Sequence, residues 1–207
     1  MKIGEDYKYL LKMIIGITGS IGSGKTAAAK LFFKYHYKRI DADEISHDLM
    51  KNNSEIRKKL IKIFGKEILG SNKNIDRKKL GNIVFNDGRK LRKLSSVMHP
   101  AIIKEIKNRI KKIKKECGDK TKIIIDAPLL LEAGAGRLVD KVIVVKAFHE
   151  NVVERNKKFT MEQLKKISMA QMGLDKKLKK ADFMIDNTGD LKNLENQVGE
   201  IANKLNQ

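Results

Sequence analysis

Apolar positions along this chain fall into two kinds of stretch. Short continuous runs occur at Met13–Thr18, Lys122–Asp126, Lys141–Val145 and Asp182–Asn187, and Lys38-Arg39-Ile40-Asp41 reads as the tail of another. They are rich in β-branched residues and too short for helices, which predicts strands buried on both faces. Between them, apolar residues recur three and four apart, the spacing of a helix face. Strands alternating with helices predict an α/β fold with a parallel sheet flanked by helices.

From Ser54 to Cys117 the pattern is helical and carries no strand signal. Ile56, Leu60, Ile61, Ile63 and Phe64 mark one apolar face, and Leu80, Ile83, Val84 and Phe85 a second, with Asp76 as its N-cap. His99-Pro100 is expected to break the chain before Ile102, Ile103, Ile106, Ile110 and Ile113 resume at helical spacing. Thr160-Met161-Glu162-Gln163 has the form of a capping box. A closing helix from Asp190 presents Leu191, Leu194, Val198, Ile201 and Leu205. The expected organisation is a single domain over 13–207, with a helical insert at about 54–117, a lid at about 151–180 and an N-terminal extension at 1–12.

The chemistry begins where the first strand ends. Gly19-Ser20-Ile21-Gly22-Ser23-Gly24-Lys25-Thr26 fits G-x-x-x-x-G-K-[ST], with a strand before it and the helix-like Ala27, Ala28, Ala29, Leu31, Phe32 and Phe33 after it. Glycines let the backbone turn with positive φ and bring N–H groups round a phosphate. The following helix adds its N-terminal donors and partial positive charge. Gly22, Ser23, Gly24, Lys25, Thr26 and Ala27 are therefore the nucleotide-binding candidates. Lys25 is suited to the β- and γ-phosphates of ATP and the Thr26 hydroxyl to Mg²⁺. Asp126, ending an apolar strand, is the usual carboxylate companion of such a loop and a second candidate for the metal.

Asp41-Ala42-Asp43-Glu44 closes the second strand at the sheet edge where open α/β folds place their ligands. Such a cluster points to a functional role; the lesser alternative is a helix N-terminus stabilised by carboxylates. Arg155, Lys157 and Lys158 could close over a phosphate chain from a helical hairpin; a solvated basic surface accounts for them equally well.

Composition narrows the partners. A formal charge of +20, from 45 Lys and Arg against 25 Asp and Glu, invites a nucleic-acid reading. The excess is mostly lysine spread over every helix, aromatic residues make up only 5%, and no RNA-recognition, zinc-finger or helix-turn-helix signature accompanies it. An anionic small molecule needs only a local basic site, so no obligatory nucleic-acid partner is expected. Cys117 is the single cysteine, which leaves no disulfide framework or zinc set. With no apolar run of membrane-spanning length and no signal-peptide pattern in Met1–Lys12, a cytoplasmic location is expected.

Taken together these segments resemble the dephospho-coenzyme A kinases. The resemblance rests on Gly16–Lys25, Ile40–Asp43, His99-Pro100, Asp126-Ala127-Pro128-Leu129-Leu130-Leu131-Glu132, Gln171, and Lys177–Asp182 running into Ile185-Asp186-Asn187, all in family order. It departs from the family pattern at Ser20, Ala27 and Leu131. The resemblance implies a P-loop kinase fold, with a nucleotide core, a helical lobe for the coenzyme precursor and a lid. It implies transfer of the γ-phosphoryl of ATP to the ribose 3′-hydroxyl of dephospho-coenzyme A. It also implies Asp43 as base or hydroxyl-orienting group, Asp41 as its support, and Arg155 as the lid arginine.

Overall fold

The computed structural model describes residues 13–147 and 161–206. Five strands, β1 (Ile14–Gly19), β2 (Lys38–Asp41), β3 (Ile123–Asp126), β4 (Lys141–Lys146) and β5 (Phe183–Asp186), pair in parallel in the order β2-β3-β1-β4-β5. The continuous apolar runs have a simple cause: successive side chains enter different cores. Ile15 and Ile17 of β1, Ile124 of β3, and Ile143 and Val145 of β4 pack on one face. Ile123, Ile125, Val142 and Val144 pack on the other. Full burial of each such side chain contributes roughly 1.5–3 kcal/mol.

Helix α1 (Lys25–Leu31) and a 3₁₀ turn (Phe32–Tyr35) cover the first face together with the last helix, α8 (Leu191–Lys204). Ala28 and Ala29 let α1 lie close to the sheet, and His36, at φ 65°, turns the chain back into β2. Asp41 caps α2 (Ala42–Asn52), Asn53 caps α3 (Ser54–Phe64), Asp76 caps α4 (Arg77–Val84) and Asp87 caps α5 (Gly88–Cys117). Each of these caps satisfies N–H groups that a helix start leaves without partners. Met50, Ile56, Leu60, Phe64, Leu80, Val84 and Met98 form a separate small core among these helices. Two further helices, α6 (Met161–Ala170) and α7 (Leu174–Leu178), precede β5.

Some details differ from the sequence expectation. His99-Pro100 does not break the chain, because α5 runs through Pro100 without interruption. Proline removes one N–H from the helix, but Pro100 is exposed, where water can satisfy the freed carbonyl. Met98 before it sits in the insert core, while Ile106 and Ile110 after it sit in the sheet core, so both halves of α5 are anchored. Ile63, Phe85 and Leu191 face solvent at 39%, 37% and 63% exposure, so each apolar face is narrower than the residue pattern suggested. Leu69 and Ile75 form an isolated antiparallel bridge that no strand signal announced. The Thr160 end of the capping box lies outside the described residues. Among the described residues no helix is long and apolar enough to cross a membrane.

Candidate active site

The glycine loop leaves the end of β1 at the centre of the sheet. A Cβ on Gly19 would lie 2.4 Å from the Val145 carbonyl oxygen and 2.5 Å from Ser23 Oγ, so only glycine lets the loop fold back over β4. Gly22 and Gly24 adopt φ of 72° and 82°, the left-handed region that side-chain-bearing residues avoid. The first helical bond of α1 runs from Ala28 N–H to the Gly24 carbonyl at 3.0 Å. The N–H groups of Lys25, Thr26 and Ala27 precede that bond, and no side chain caps the helix. Such a helix start is ready-made for an anion. Asn187 Nδ2, just after β5, donates to the Ser23 carbonyl at 2.8 Å and holds the loop from its far side.

Asp41 and Asp126 are register partners at the ends of β2 and β3, so two carboxylates stand side by side. Arg39, two residues before Asp41 on the same strand face, lies between them. Its Nη2 donates to both Asp41 and Asp126, and its Nε donates to Asp126 at 3.1 Å. Burial works against the guanidinium charge, but the hydrogen bond and charge of Asp126, with those of Asp41, more than offset it and raise its pKa. Lys25 Nζ donates to the other Asp126 oxygen at 3.0 Å, and the Asp126 side chain is 1% exposed. Asp126 is thus fully committed between two cations.

Within the acidic cluster Asp41 caps α2, its Oδ1 accepting from Asp43 N–H at 2.9 Å and Glu44 N–H at 3.1 Å, and Asp43 and Glu44 stand as charges in the first turn of that helix. Asp43 is different. Its carboxylate makes no hydrogen bond among the described residues. The residue is exposed to solvent, yet neighbouring protein partly desolvates its carboxylate. That partial desolvation raises its pKa, the charges of Asp41 and Asp126 add to the rise, and Lys25 and Arg77 pull it back.

Lys25, Asp43 and Asp126 are thus gathered at the C-terminal edge of the sheet beside the loop Gly22–Ala27. Arg155, with Lys157 and Lys158, lies outside the described residues. Among the described residues no cluster of three or more metal-ligating side chains is present. Reading for motifs missed Arg39, which looked like part of a strand tail. Opposed carboxylates on neighbouring strands demand a cation, and an arginine two positions earlier was the available signal. It also missed the place of Lys177, which sits in a lysine run that reads as solvated but is fully buried.

A glycine loop on the central strand of a parallel sheet, its lysine set against a carboxylate on the adjacent strand, defines a P-loop kinase. A solved shikimate kinase from Acinetobacter baumannii shares the fold, with a TM-score of 0.53 over 93% of this chain and 92% of that one at 12% identity. The family model for dephospho-CoA kinase matches residues 13–193. The dephospho-CoA kinase of Aquifex aeolicus is 39% identical over 193 residues, covering 92% of this chain and 96% of that one. The dephospho-CoA kinase structure from Campylobacter jejuni aligns with a TM-score of 0.65 at 30% identity, over 93% of this chain and 96% of that one. The chain belongs to the dephospho-CoA kinase family, a family of transferases with ATP as co-substrate.

Proposed function

We propose that the cleft transfers the γ-phosphoryl group of ATP to the ribose 3′-hydroxyl of dephospho-coenzyme A, giving coenzyme A and ADP, with Asp43 orienting the hydroxyl and accepting its proton. The state of Asp43 carries this assignment. Of the carboxylates at the strand ends, Asp126 is held by Lys25 and Arg39 and Asp41 by Arg39 and the start of α2. Asp43 alone among them accepts no hydrogen bond among the described residues, and its surroundings favour the proton. A group meant to take up a proton needs that freedom and a pKa moved toward neutrality.

The N–H groups around Gly22–Ala27 cradle the phosphates, and Lys25 exchanges Asp126 for the β- and γ-phosphate oxygens. As the bond from the 3′-oxygen to phosphorus forms, the bond to the β,γ-bridging oxygen breaks and its electron pair stays on ADP. The hydroxyl proton passes to Asp43. Thr26 and Asp126 supply hard oxygen donors of the kind Mg²⁺ takes alongside phosphate and water, and a site with one carboxylate is usual for that ion. When bound there, the ion neutralises charge on the β- and γ-oxygens. Helices α3, α4 and α5 form the acceptor lobe, a reading supported by Arg77 of α4, whose charge reaches Asp43. Arg155 is assigned as the cation that offsets charge on the transferred group, on sequence resemblance alone.

An acceptor panel tests the proposal. Purified protein with Mg-ATP is offered dephospho-coenzyme A, nucleosides, nucleotides and shikimate, and ADP is measured. ADP release tied to dephospho-coenzyme A, with coenzyme A as product, is expected. Turnover of shikimate or a free nucleotide in its place would overturn the assignment.

A further inference from the structure

Lysines 176, 177, 179 and 180 lie close together in sequence, and all but one face solvent. Lys177, on the short helix α7, is 0% exposed. Its ammonium donates to the Pro128 carbonyl at 2.7 Å and pairs with Glu132 Oε1 at 3.1 Å. Its remaining donor is shared at longer range between the Gly19 carbonyl at 3.4 Å and Thr18 Oγ1 at 3.5 Å. Thr18 Oγ1 in turn donates to Pro128 O at 3.0 Å, and Glu132 Oε1 also accepts from Met172 N–H at 2.8 Å. The contacts come from distinct places: the end of β1 where the phosphate loop begins, the segment two residues past Asp126, and the chain leading into α7.

Burying an ammonium and a carboxylate is costly, and well-packed apolar residues often do as well or better for stability. A charge kept here therefore asks for a reason other than fold stability. We propose that Lys177, seated on Glu132, is a positioning residue for phosphoryl transfer: it ties the root of the phosphate loop to the segment following Asp126 and so fixes the spacing between Lys25 and Asp126. The proposal rests on the kinase reading of the cleft. The neighbouring groups agree with it. Burial lowers the Lys177 pKa, Glu132 opposes that shift, and the charge of Lys25 adds to it, so the two lysines lie within each other's field. Lys177 is 0% exposed, so its effect passes through the backbone it holds.

The test uses the full chain and two variants, Lys177→Met and the double variant Lys177→Met/Glu132→Gln. The single substitution leaves a buried carboxylate without its cation and is expected to lower Tm. The double one removes both charges at nearly constant shape, and glutamine still accepts from Met172 N–H, so Tm is expected to recover. Positioning does not recover with it. kcat should stay down roughly 10²-fold, the cost of a misplacement on the order of 1 Å. The Kd for Mg-ATP, measured by calorimetry, should rise roughly tenfold, as for loss of one charge-assisted hydrogen bond, while KM for the acceptor holds.

A double variant with recovered Tm, wild-type Mg-ATP affinity and wild-type kcat overturns the proposal. A double variant as unstable as the single one also overturns it, since the ties to Pro128 and Gly19 would then hold the fold itself. The calorimetric readout is independent of the acceptor. Failure of the kinase reading appears instead as absence of turnover in the wild-type protein with dephospho-coenzyme A.

Discussion

Replacing Asp43 by asparagine separates chemistry from structure at the point where the two readings of the acidic cluster diverge. Asparagine keeps the shape and can orient a hydroxyl, but it cannot take a proton. Loss of a general base costs roughly 10²–10⁴-fold in kcat, or about 2.7–5.4 kcal/mol of transition-state stabilisation. Much of the benefit in a loose transition state is positioning, which asparagine partly retains. The Asp43 carboxylate makes no hydrogen bond among the described residues, so the change breaks none there. A charge in the first turn of α2 contributes about 0.3–1 kcal/mol, and the desolvation and carboxylate neighbours that raise its pKa act against it. The sign follows from that raised value. The folded state favours protonated Asp43, a contribution present in acid and lost as pH rises through the raised pKa. At neutral pH the neutral asparagine thus removes a disfavoured charge, and Tm should hold or rise slightly. Steady-state kcat with Mg-ATP and dephospho-coenzyme A, read on the same sample as the melt, gives the answer. The acidic limb of the wild-type kcat/KM profile should also fall above the ordinary aspartate range and disappear in the variant. Wild-type turnover, or a kcat loss that merely tracks a lower Tm, would refute the reasoning and turn attention to Asp41.

Lys25→Ala should lower kcat roughly 10²–10³-fold, the scale for losing one preorganised group that stabilises developing charge. Its Tm should stay close to wild type because Arg39 still neutralises Asp126; near-normal turnover in the folded variant would sink the phosphate-loop assignment. Arg39→Met should cost about 3 kcal/mol in chemical denaturation, the low end for breaking a buried ion pair, because Lys25 still holds one Asp126 oxygen. A loss below about 1 kcal/mol would show that Asp126 does not depend on the arginine.

Much of the layout was legible from local pattern. The strand runs, the cap at Asp76 and the loop from Gly19 to Thr26 each depend on residues within a few positions of one another. Periodicity and capping are local rules, and they succeed where local rules decide. They fail at Pro100, where a proline that forbids one hydrogen bond is outweighed by burial on both sides of it. They also overreach at Ile63 and Leu191, whose spacing fits an apolar face but whose neighbours leave them in solvent.

The amino-acid sequence by itself determined the phosphate loop, the carboxylates that could serve it and the family to which they point. Tertiary structure alone decided what surrounds each charge. Asp41, Asp43 and Asp126 look alike in sequence, yet one caps a helix, one is locked between Lys25 and Arg39, and one makes no hydrogen bond among the described residues. Lys177 looks like its solvated neighbours until α7 carries it under the phosphate loop. The reason is the range of the interaction. A carboxylate or ammonium is defined by the few ångströms around it, and those neighbours come from residues about 100 positions away, as between Lys25 and Asp126, or 159, as between Thr18 and Lys177. Only folding brings them within reach.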